Sequence, residues 1–315
     1  EYMIPAKEIA IEQVAQSLGV QKSSLKDIEV DIQIEKSSEA KMKEISEAGK
    51  AQGCAIVVPA VEFHVIARTV QNGTEREVSI PNFAGYVSRV MEIPAEIDHN
   101  KITTGIIYHQ DGTISHIPTE IFERDGKWYA KLNSLTNSTY SVIWNPKNFK
   151  DVENHWAKDA VNDMGSRLVV SGVSGDKFEP NRDITRAEFA AIVVRALGLM
   201  RPGTGKDSFN DVVKDKWYYD AVSIACEYGI LSGYGNGQYG PQDKISREQA
   251  MTMIDRAMKI TGLKAETEDA DKILKGFSDV DKAANYAKNS AAACVETGII
   301  SGRNGNLLSP KDNIT

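Results

Sequence analysis

Apolar and polar residues alternate in short runs through residues 1–148. A period of two residues is typical of β-strands, and this density of short runs predicts a β-sandwich-like module. Between the runs lie Asn72-Gly73, Asp111-Gly112 and Asp125-Gly126, each predicting a two-residue hairpin turn. The predicted strands cover residues 28–34, 55–70, 78–80, 86–93, 102–108, 127–132 and 140–144.

Two stretches of this half do not follow the strand period. Residues 6–18 place Ile11, Val14 and Leu18 on one side of a predicted helix that ends at Gly19. Residues 37–50 are rich in Ser, Glu, Lys and Ala and indicate a helix or a long polar loop. We therefore expect an N-terminal helix and lead-in over residues 1–24, then a β-rich spacer module over residues 25–146.

After residue 148 the apolar period changes to that of an α-helix. One apolar stripe starts at Trp156 and reaches Leu168, and an equivalent stripe runs from Trp217 to Tyr228. On this period both tryptophans are expected in the core. A second helix is predicted over residues 189–197 and again over residues 250–258.

The two stripes belong to an internal repeat. Each copy opens with Phe-x-Asp-Val, at Phe149, Phe209 and Phe277, and continues through a helix and a Gly-rich loop. One constant offset in sequence maps the first copy onto the second, and a slightly longer offset maps the second onto the third. Since the third copy reaches Thr315 within the motif, we expect it to be incomplete. A single helix pair cannot bury its stripe alone, so the copies should pack together.

The second helix of each full copy begins with a capping box. Thr185 with Glu188, and Ser246 with Gln249, fit the rule that a cap hydroxyl and a third-position carboxylate or amide satisfy each other's amides. Such a cap contributes about 1 kcal/mol to helix stability.

Capping does not account for Arg186 and Arg247, the first helical residue in each copy. A cation at a helix N-terminus faces the positive end of the helix dipole, whereas an anion there is attracted by the Arg and by the free amides. The position predicts an anion ligand. An ordinary surface or inter-repeat salt bridge is the alternative, and it stays open.

Charge and composition exclude several classes of protein. Residues 1–148 carry 15 basic and 20 acidic residues, and residues 149–315 carry 22 and 24, so neither half has the basic excess of a nucleic-acid binder. No apolar run approaches the ~18 residues of a membrane helix, so no membrane insertion is expected. The opening Glu1-Tyr2-Met3 resembles no signal peptide.

Candidate chemistry is sparse in residues 1–148. Of four histidines, His109 and His116 are expected on one face of the Asp111-Gly112 hairpin, but a third metal ligand is missing. We expect no metal, no cofactor and no enzymatic activity, although paired carboxylates for glycoside cleavage stay open. The three cysteines, expected as buried apolar side chains, are Cys54, Cys226 and Cys294.

The repeat resembles the S-layer homology repeat of bacterial surface proteins. Residues 184–188, Ile-Thr-Arg-Ala-Glu, match the signature element of that family, whereas the second copy has Ser-Arg-Glu-Gln and the third has Tyr286 in place of Trp. The resemblance covers residues 149–315, with repeats over 147–200, 201–264 and 265–315. It implies an all-α pseudo-threefold array whose grooves bind secondary cell-wall polymers through a pyruvylated sugar. Residues 118–143 are more loosely similar to modules that precede such repeats, which suggests a spacer.

The resemblance also implies roles for individual residues. Arg186 and Arg247 would hold the pyruvate carboxylate, helped by Arg303. An aromatic face would cover the sugar ring. Asp151 and Asp211 would accept sugar hydroxyls or cap the first helices, and both alternatives stay open. The further implied contacts are the aromatic Trp156, Trp217 and Tyr234 and the loop glycines Gly172 and Gly233.

These implications predict a non-covalent anchor that ties a Gram-positive surface protein to its cell wall or S-layer, outside the cell. Two alternatives remain. The chain could be part of a surface polysaccharide-degrading enzyme, with the catalytic domain in the β-rich half or elsewhere. It could also be a lattice protein that self-associates in a surface layer.

Overall fold

The computed structural model describes residues 2–5, 8–21, 26–71, 73–265 and 269–315. The chain divides into two compact units. The first unit contains residues 1–148 and 159–171, and the second contains residues 149–158 and 172–315. The lead-in predicted up to residue 24 therefore falls partly outside the described residues.

The first unit is built from two antiparallel sheets, as the strand period predicted. One sheet has the order β1-β5-β9-β8; the other has the order β2-β3-β10-β6-β7, with β4 also paired to β3. The strands are β1 (Tyr2–Met3), β2 (Glu29–Lys36), β3 (Ala55–Gln71), β4 (Thr74–Ser79), β5 (Asn82–Glu92), β6 (Thr104–Tyr108), β7 (Ile114–Ile117), β8 (Thr119–Arg124), β9 (Lys127–Thr136) and β10 (Thr139–Trp144).

The core of this unit lies between the sheets. Phe63, Tyr140 and Val142 of one sheet pack with Met91 and Leu132 of the other. Two helices cover parts of the six-stranded sheet: α1 (Ile11–Leu18) packs on the half of β3 near Val65, and α2 (Glu39–Ala51) packs beside β6 and β10. Apolar inner faces thus account for the sandwich.

Helix starts follow local chemistry. The helix predicted from residue 6 begins at Ile11, and residues 6 and 7 lie outside the described residues. Residues 37–50, whose composition is compatible with a helix or a loop, form α2, because Ser38 accepts a hydrogen bond from the amide of Lys41 at 3.3 Å and caps its N-terminus.

Hairpin registers test the predicted turns. Arg124 pairs with Lys127, so Asp125-Gly126 forms the predicted two-residue turn, and both residues have positive φ. Gln71 likewise pairs with Thr74, although residue 72 lies outside the described residues.

The prediction for Asp111-Gly112 is wrong. Tyr108 pairs with Ile114, and the amide of His109 donates to Thr113 O at 2.9 Å, so the loop is one residue longer than predicted. The shift in register puts His109 and His116 on opposite faces. His109 Nε2 contacts Ser115 Oγ at 2.9 Å, and buried His116 contacts Thr104 through Nδ1.

The second unit is helical, as predicted for the repeats. Its helices are α4 (Arg186–Ala196), α5 (Tyr219–Glu227), α6 (Arg247–Thr261), α7 (Ala270–Leu274) and α8 (Asn285–Glu296). Helix α3 (Lys158–Ser166) precedes them in the chain, and most of it belongs to the first unit.

A ring of backbone hydrogen bonds relates the three repeats. The amide of Ile184 donates to Ile314 O at 3.0 Å, the amide of Ile245 to Ile184 O at 3.2 Å, and the amide of Ile314 to Ile245 O at 3.2 Å. These residues occupy the same position in each copy. The ring therefore gives the second unit a pseudo-threefold centre.

The tryptophans are not in the core. Trp156 is 91% exposed and Trp217 is 58% exposed. The prediction is wrong because α3 begins at Lys158 and α5 at Tyr219, so both tryptophans precede the helices that carry the apolar stripe. Of the cysteines, Cys54 and Cys294 are buried, whereas Cys226 is only half-buried.

Candidate functional site

Both second helices begin with the predicted capping boxes. Thr185 Oγ1 accepts from the amide of Glu188 at 3.2 Å, and Glu188 Oε2 accepts from the amide of Thr185 at 2.7 Å. Ser246 and Gln249 make the same two bonds. The capping bonds involve the cap residue and the third helical residue. Capping therefore gives no role to the side chain of the Arg that follows each cap.

The Arg186 side chain crosses from the first repeat into the second. It is buried, its Nε donates to Tyr239 O at 2.9 Å, and its Nη2 donates to Ser232 O at 3.3 Å. The guanidinium also lies over the rings of Tyr234 and Tyr239, at 4.7 and 4.5 Å from their centroids. Carbonyl dipoles and aromatic faces thus stabilise the cation.

Arg247 repeats this arrangement between the second and third repeats. Its Nε donates to Leu308 O at 2.9 Å and its Nη2 to Ser301 O at 2.6 Å. Within the described part of the chain, neither Arg186 nor Arg247 forms an ion pair with a carboxylate, so the salt-bridge alternative is wrong. Burial, together with the neighbouring Arg303, lowers the pKa of Arg247.

The Asp of each Phe-x-Asp-Val motif holds a turn. Asp151 accepts from the amides of Phe178 and Glu179 at 2.9 and 2.6 Å, and these bonds place its pKa below the usual range. Asp211 accepts from the amides of Tyr239 and Gly240, both at 2.8 Å. The capping alternative is therefore wrong: each carboxylate bridges to the turn after the Gly-rich loop instead of the first helix.

Close packing explains the first glycine of each Gly-rich loop. A Cβ on Gly172 would lie 2.9 Å from the Phe149 ring and 2.6 Å from a backbone oxygen. A Cβ on Gly233 would lie 2.6 Å from the Phe209 ring. Each loop therefore rests on the Phe that opens its own repeat, and a side chain would displace it.

A cavity of about 300 Å³ lies beside Arg186. All three repeats line it: Arg186 from the first, Tyr234 and Arg256 from the second, and Tyr286 from the third. Its walls carry two guanidinium groups and no carboxylate among the described residues. The arrangement suits an anion that has an apolar face.

The structure brings together only some of the predicted site residues. Arg186, Gly233 and Tyr234 line this cavity, whereas Trp156 and Trp217 do not. Sequence reasoning missed Arg256 and Tyr286. Tyr286 stands at the position of the tryptophans in the other repeats, and Arg256 is the equivalent of Arg195 in the preceding repeat. Aligning the repeats by their offsets is the signal that could have identified both residues.

Clusters of metal-ligating side chains are missing from the described ranges, where no group of three or more His, Cys, Asp or Glu side chains is placed to hold a metal ion. None of the helices described for this chain is both long enough and apolar enough to cross a membrane.

Comparison with known proteins matches the repeats to one family. The model of the S-layer homology domain matches residues 148–190, 208–251 and 276–315. The chain is 34% identical to an amylopullulanase of Thermoanaerobacterium thermosulfurigenes over 184 residues, which are 58% of this chain and 10% of that protein.

Two further relatives differ in kind. The chain is 30% identical to an exoglucanase of Acetivibrio thermocellus over 217 residues, 69% of this chain and 19% of that protein. It is 31% identical to an S-layer protein of Bacillus thuringiensis subsp. finitimus over 170 residues, 54% of this chain and 20% of that protein. The chain thus spans a fifth or less of the length of these three curated relatives.

Proposed function

We propose, from the premise that residues 148–315 contain three S-layer homology domains, that this region ties a surface protein non-covalently to an anionic polysaccharide of the bacterial cell wall. The ligand we propose is a secondary cell-wall polymer whose sugar carries a pyruvate ketal. The protein would then act outside the cell, at the wall or in the S-layer.

The observation that carries the proposal is the cationic cavity at Arg186. Its Nη1 makes no hydrogen bond within the described residues, so donors remain for a carboxylate. Arg256 is half-buried and lines the same cavity, and its hydrogen bonds to described residues are two long ones of 3.4 Å, to Ile230 O and Ser232 Oγ. Two guanidinium groups around one cavity can bind a carboxylate through charge-assisted hydrogen bonds.

Aromatic rings supply the second half of the ligand's chemistry. The exposed faces of Tyr234 and Tyr286 border the same cavity. A sugar ring presents an apolar face that packs on aromatic side chains, while its acidic substituent reaches the cations. A pyruvylated sugar combines both features in one residue.

The relatives support a module that serves different cargoes. The matched region makes up a small part of enzymes and of an S-layer protein alike. We propose that the repeats supply attachment, that the β-rich first unit is a non-catalytic spacer, and that any catalytic or lattice-forming activity resides in other parts of the protein.

Retention on wall sacculi tests the proposal. Wild-type protein should sediment with sacculi that carry the pyruvylated polymer and stay in solution with sacculi stripped of it. Arg256→Gln should weaken retention about tenfold, since one charge-assisted hydrogen bond contributes roughly 1.5 kcal/mol. Arg167→Gln, just after α3 and outside the cavity, is the matched control.

Arg186→Ala is a weaker test, because this side chain also joins two repeats. Retention that is equal on both kinds of sacculi would reject the pyruvylated ligand. Retention that depends on the polymer but ignores Arg256→Gln would instead move the binding site away from this cavity.

A further inference from the structure

The edge strand β2 leaves an apolar stripe uncovered in the first unit. In the described structure β2 pairs with β3 alone and ends the six-stranded sheet. Val30, Ile32 and Ile34 face the same side as their buried β3 partners Ala67, Val65 and Phe63. They are nevertheless 38%, 45% and 50% exposed.

The exposure has a geometric cause. The β3 partners are covered by α1 and the opposite sheet, whose cover does not extend over β2. The stripe runs into a cavity of about 470 Å³ that is lined mostly by apolar residues, among them Ile34, Val58, Phe63 and Met91, and also by the charged residues Lys36 and Glu92. A free strand edge beside a largely apolar cavity is a template for an added strand.

Charges on the other face of β2 define the partner's chemistry. Glu35 lies directly opposite Glu62, and like charges at this position destabilise a strand pair. The described residues place no Lys or Arg within ion-pair distance of either carboxylate, and the contact of Glu62 is His64 Nε2 at 3.7 Å. A basic side chain on an added strand, beside Glu35, would relieve this repulsion.

A second copy of the chain fits this edge poorly. If two β2 strands paired antiparallel with Ile32 opposite Ile32, Glu29 of each copy would lie opposite Glu35 of the other. Two like-charge pairs would then oppose the contact. The charge pattern therefore favours a different polypeptide over self-association.

We propose that β2 binds an extended segment of another polypeptide by strand addition. The segment places apolar side chains opposite Ile32 and Ile34 and a Lys or Arg opposite Glu35. Alternation makes this possible, because successive residues of an added strand point to opposite faces. One apolar side chain enters the cavity next to Ile34, and the backbone of β2 supplies the hydrogen bonds.

Synthetic peptides test the inference on the full chain by fluorescence anisotropy. The probe is a labelled eight-residue peptide that alternates Val with Lys or Thr. One control peptide replaces Lys by Glu, and another carries Pro at its centre, which cannot complete the ladder. The Lys peptide should bind about tenfold more tightly than either control.

Variants locate the contact. Ile32→Lys places a charge in the stripe on β2 and should abolish peptide binding. Val70→Lys places the same charge at an exposed position of β3 outside the stripe and should leave peptide binding unchanged. Glu35→Lys keeps the stripe intact and should reverse the preference toward the Glu peptide. Equal binding of all three peptides would overturn the proposal. So would self-association of the wild type that Ile32→Lys removes, since the stripe would then belong to a second copy.

Discussion

Arg186 and Tyr239 bind each other reciprocally across the first repeat boundary. Arg186 Nε donates to Tyr239 O at 2.9 Å, and the Tyr239 hydroxyl donates back to Arg186 O at 2.8 Å. At the next boundary Leu308 takes the place of Tyr239, so Arg247 receives no such return bond. The two boundaries are therefore similar in shape but different in chemistry.

Tyr239→Phe should destabilise the second unit by about 1 kcal/mol, because the substitution removes the buried hydrogen bond from the Tyr239 hydroxyl to Arg186 O. Urea unfolding followed by circular dichroism measures the change. Tyr129→Phe is the control, since its hydroxyl makes no hydrogen bond among the described residues. Equal stability of both variants would show that the reciprocal bond contributes nothing.

The two repeat boundaries differ in one side chain that should affect how strongly salt weakens the binding of an anionic glycan. At the first boundary the Tyr234 hydroxyl donates to Asp243 at 2.8 Å, whereas at the second boundary the equivalent Arg303 pairs with Asp312 at 3.3 Å. Replacing either residue by its equivalent adds or removes one guanidinium, and salt screens the attraction of a guanidinium to an anion.

The exchange variants test this difference. Arg303→Tyr should flatten the fall of affinity between about 0.05 and 0.5 M NaCl, and Tyr234→Arg should steepen it. Isothermal titration with the purified polymer gives both slopes. Unchanged slopes in both variants would mean that neither Arg303 nor Tyr234 contributes to the salt dependence of glycan binding.

Glu248→Ala should destabilise the junction of the second and third repeats by about 2–3 kcal/mol. The buried carboxylate accepts from the amide of Ala284 at 3.0 Å and from Lys311 Nζ at 2.5 Å. Thermal unfolding measures the loss, with the exposed Glu123→Ala as the control. A change no larger than that of the control would mean that water replaces these bonds at no cost.

Acid should weaken the first repeat through Glu188. Burial raises the pKa of this carboxyl, but hydrogen bonds from Arg182 and from the Thr185 amide outweigh burial and hold the pKa below its ordinary value of about 4.3. A depressed pKa stabilises the fold above the unfolded-state pKa, and this contribution disappears as the pH falls through the folded-state pKa.

The matched variant is Glu188→Gln, because Gln249 shows that an amide completes the same capping box. At pH 7 the variant should unfold at lower urea than the wild type, since it lacks the ion pair with Arg182. The two midpoints should converge as the pH falls below the folded-state pKa of Glu188. A difference that is constant across this range would exclude Glu188 as the titrating group.

Features encoded by a few adjacent residues could be predicted from the sequence. The capping boxes at Thr185 and Ser246 depend on four consecutive residues, and the Asp125-Gly126 turn depends on two. The repeat offsets likewise identify Ile184, Ile245 and Ile314 as equivalents. Their closure into a ring could not be predicted, because it depends on how three copies pack.

Features that depend on a boundary or on tertiary contacts could not be predicted in this way. The helical period places Trp156 in an apolar stripe, because the period alone does not show that α3 begins two residues later. One extra residue in the loop shifts the register of the hairpin, so His109 and His116 lie on opposite faces. The apolar pattern does not predict strands β7 and β8. Ser115 and His116 interrupt the apolar run of β7, and the adjacent Ile121 and Phe122 break the alternation of β8. Arg256 becomes a site residue only through the cavity that three repeats create.

The ring of backbone hydrogen bonds between the three isoleucines also determines when the repeats can complete their folding. Ile184 needs Ile314 as an acceptor, and most of the repeat region lies between them in sequence, so the ring closes only after nearly all of that region has been synthesised. Closing so long a loop is slow in comparison with forming the local helices. A nascent chain should therefore expose unsatisfied repeat surfaces until Ile314 leaves the ribosome.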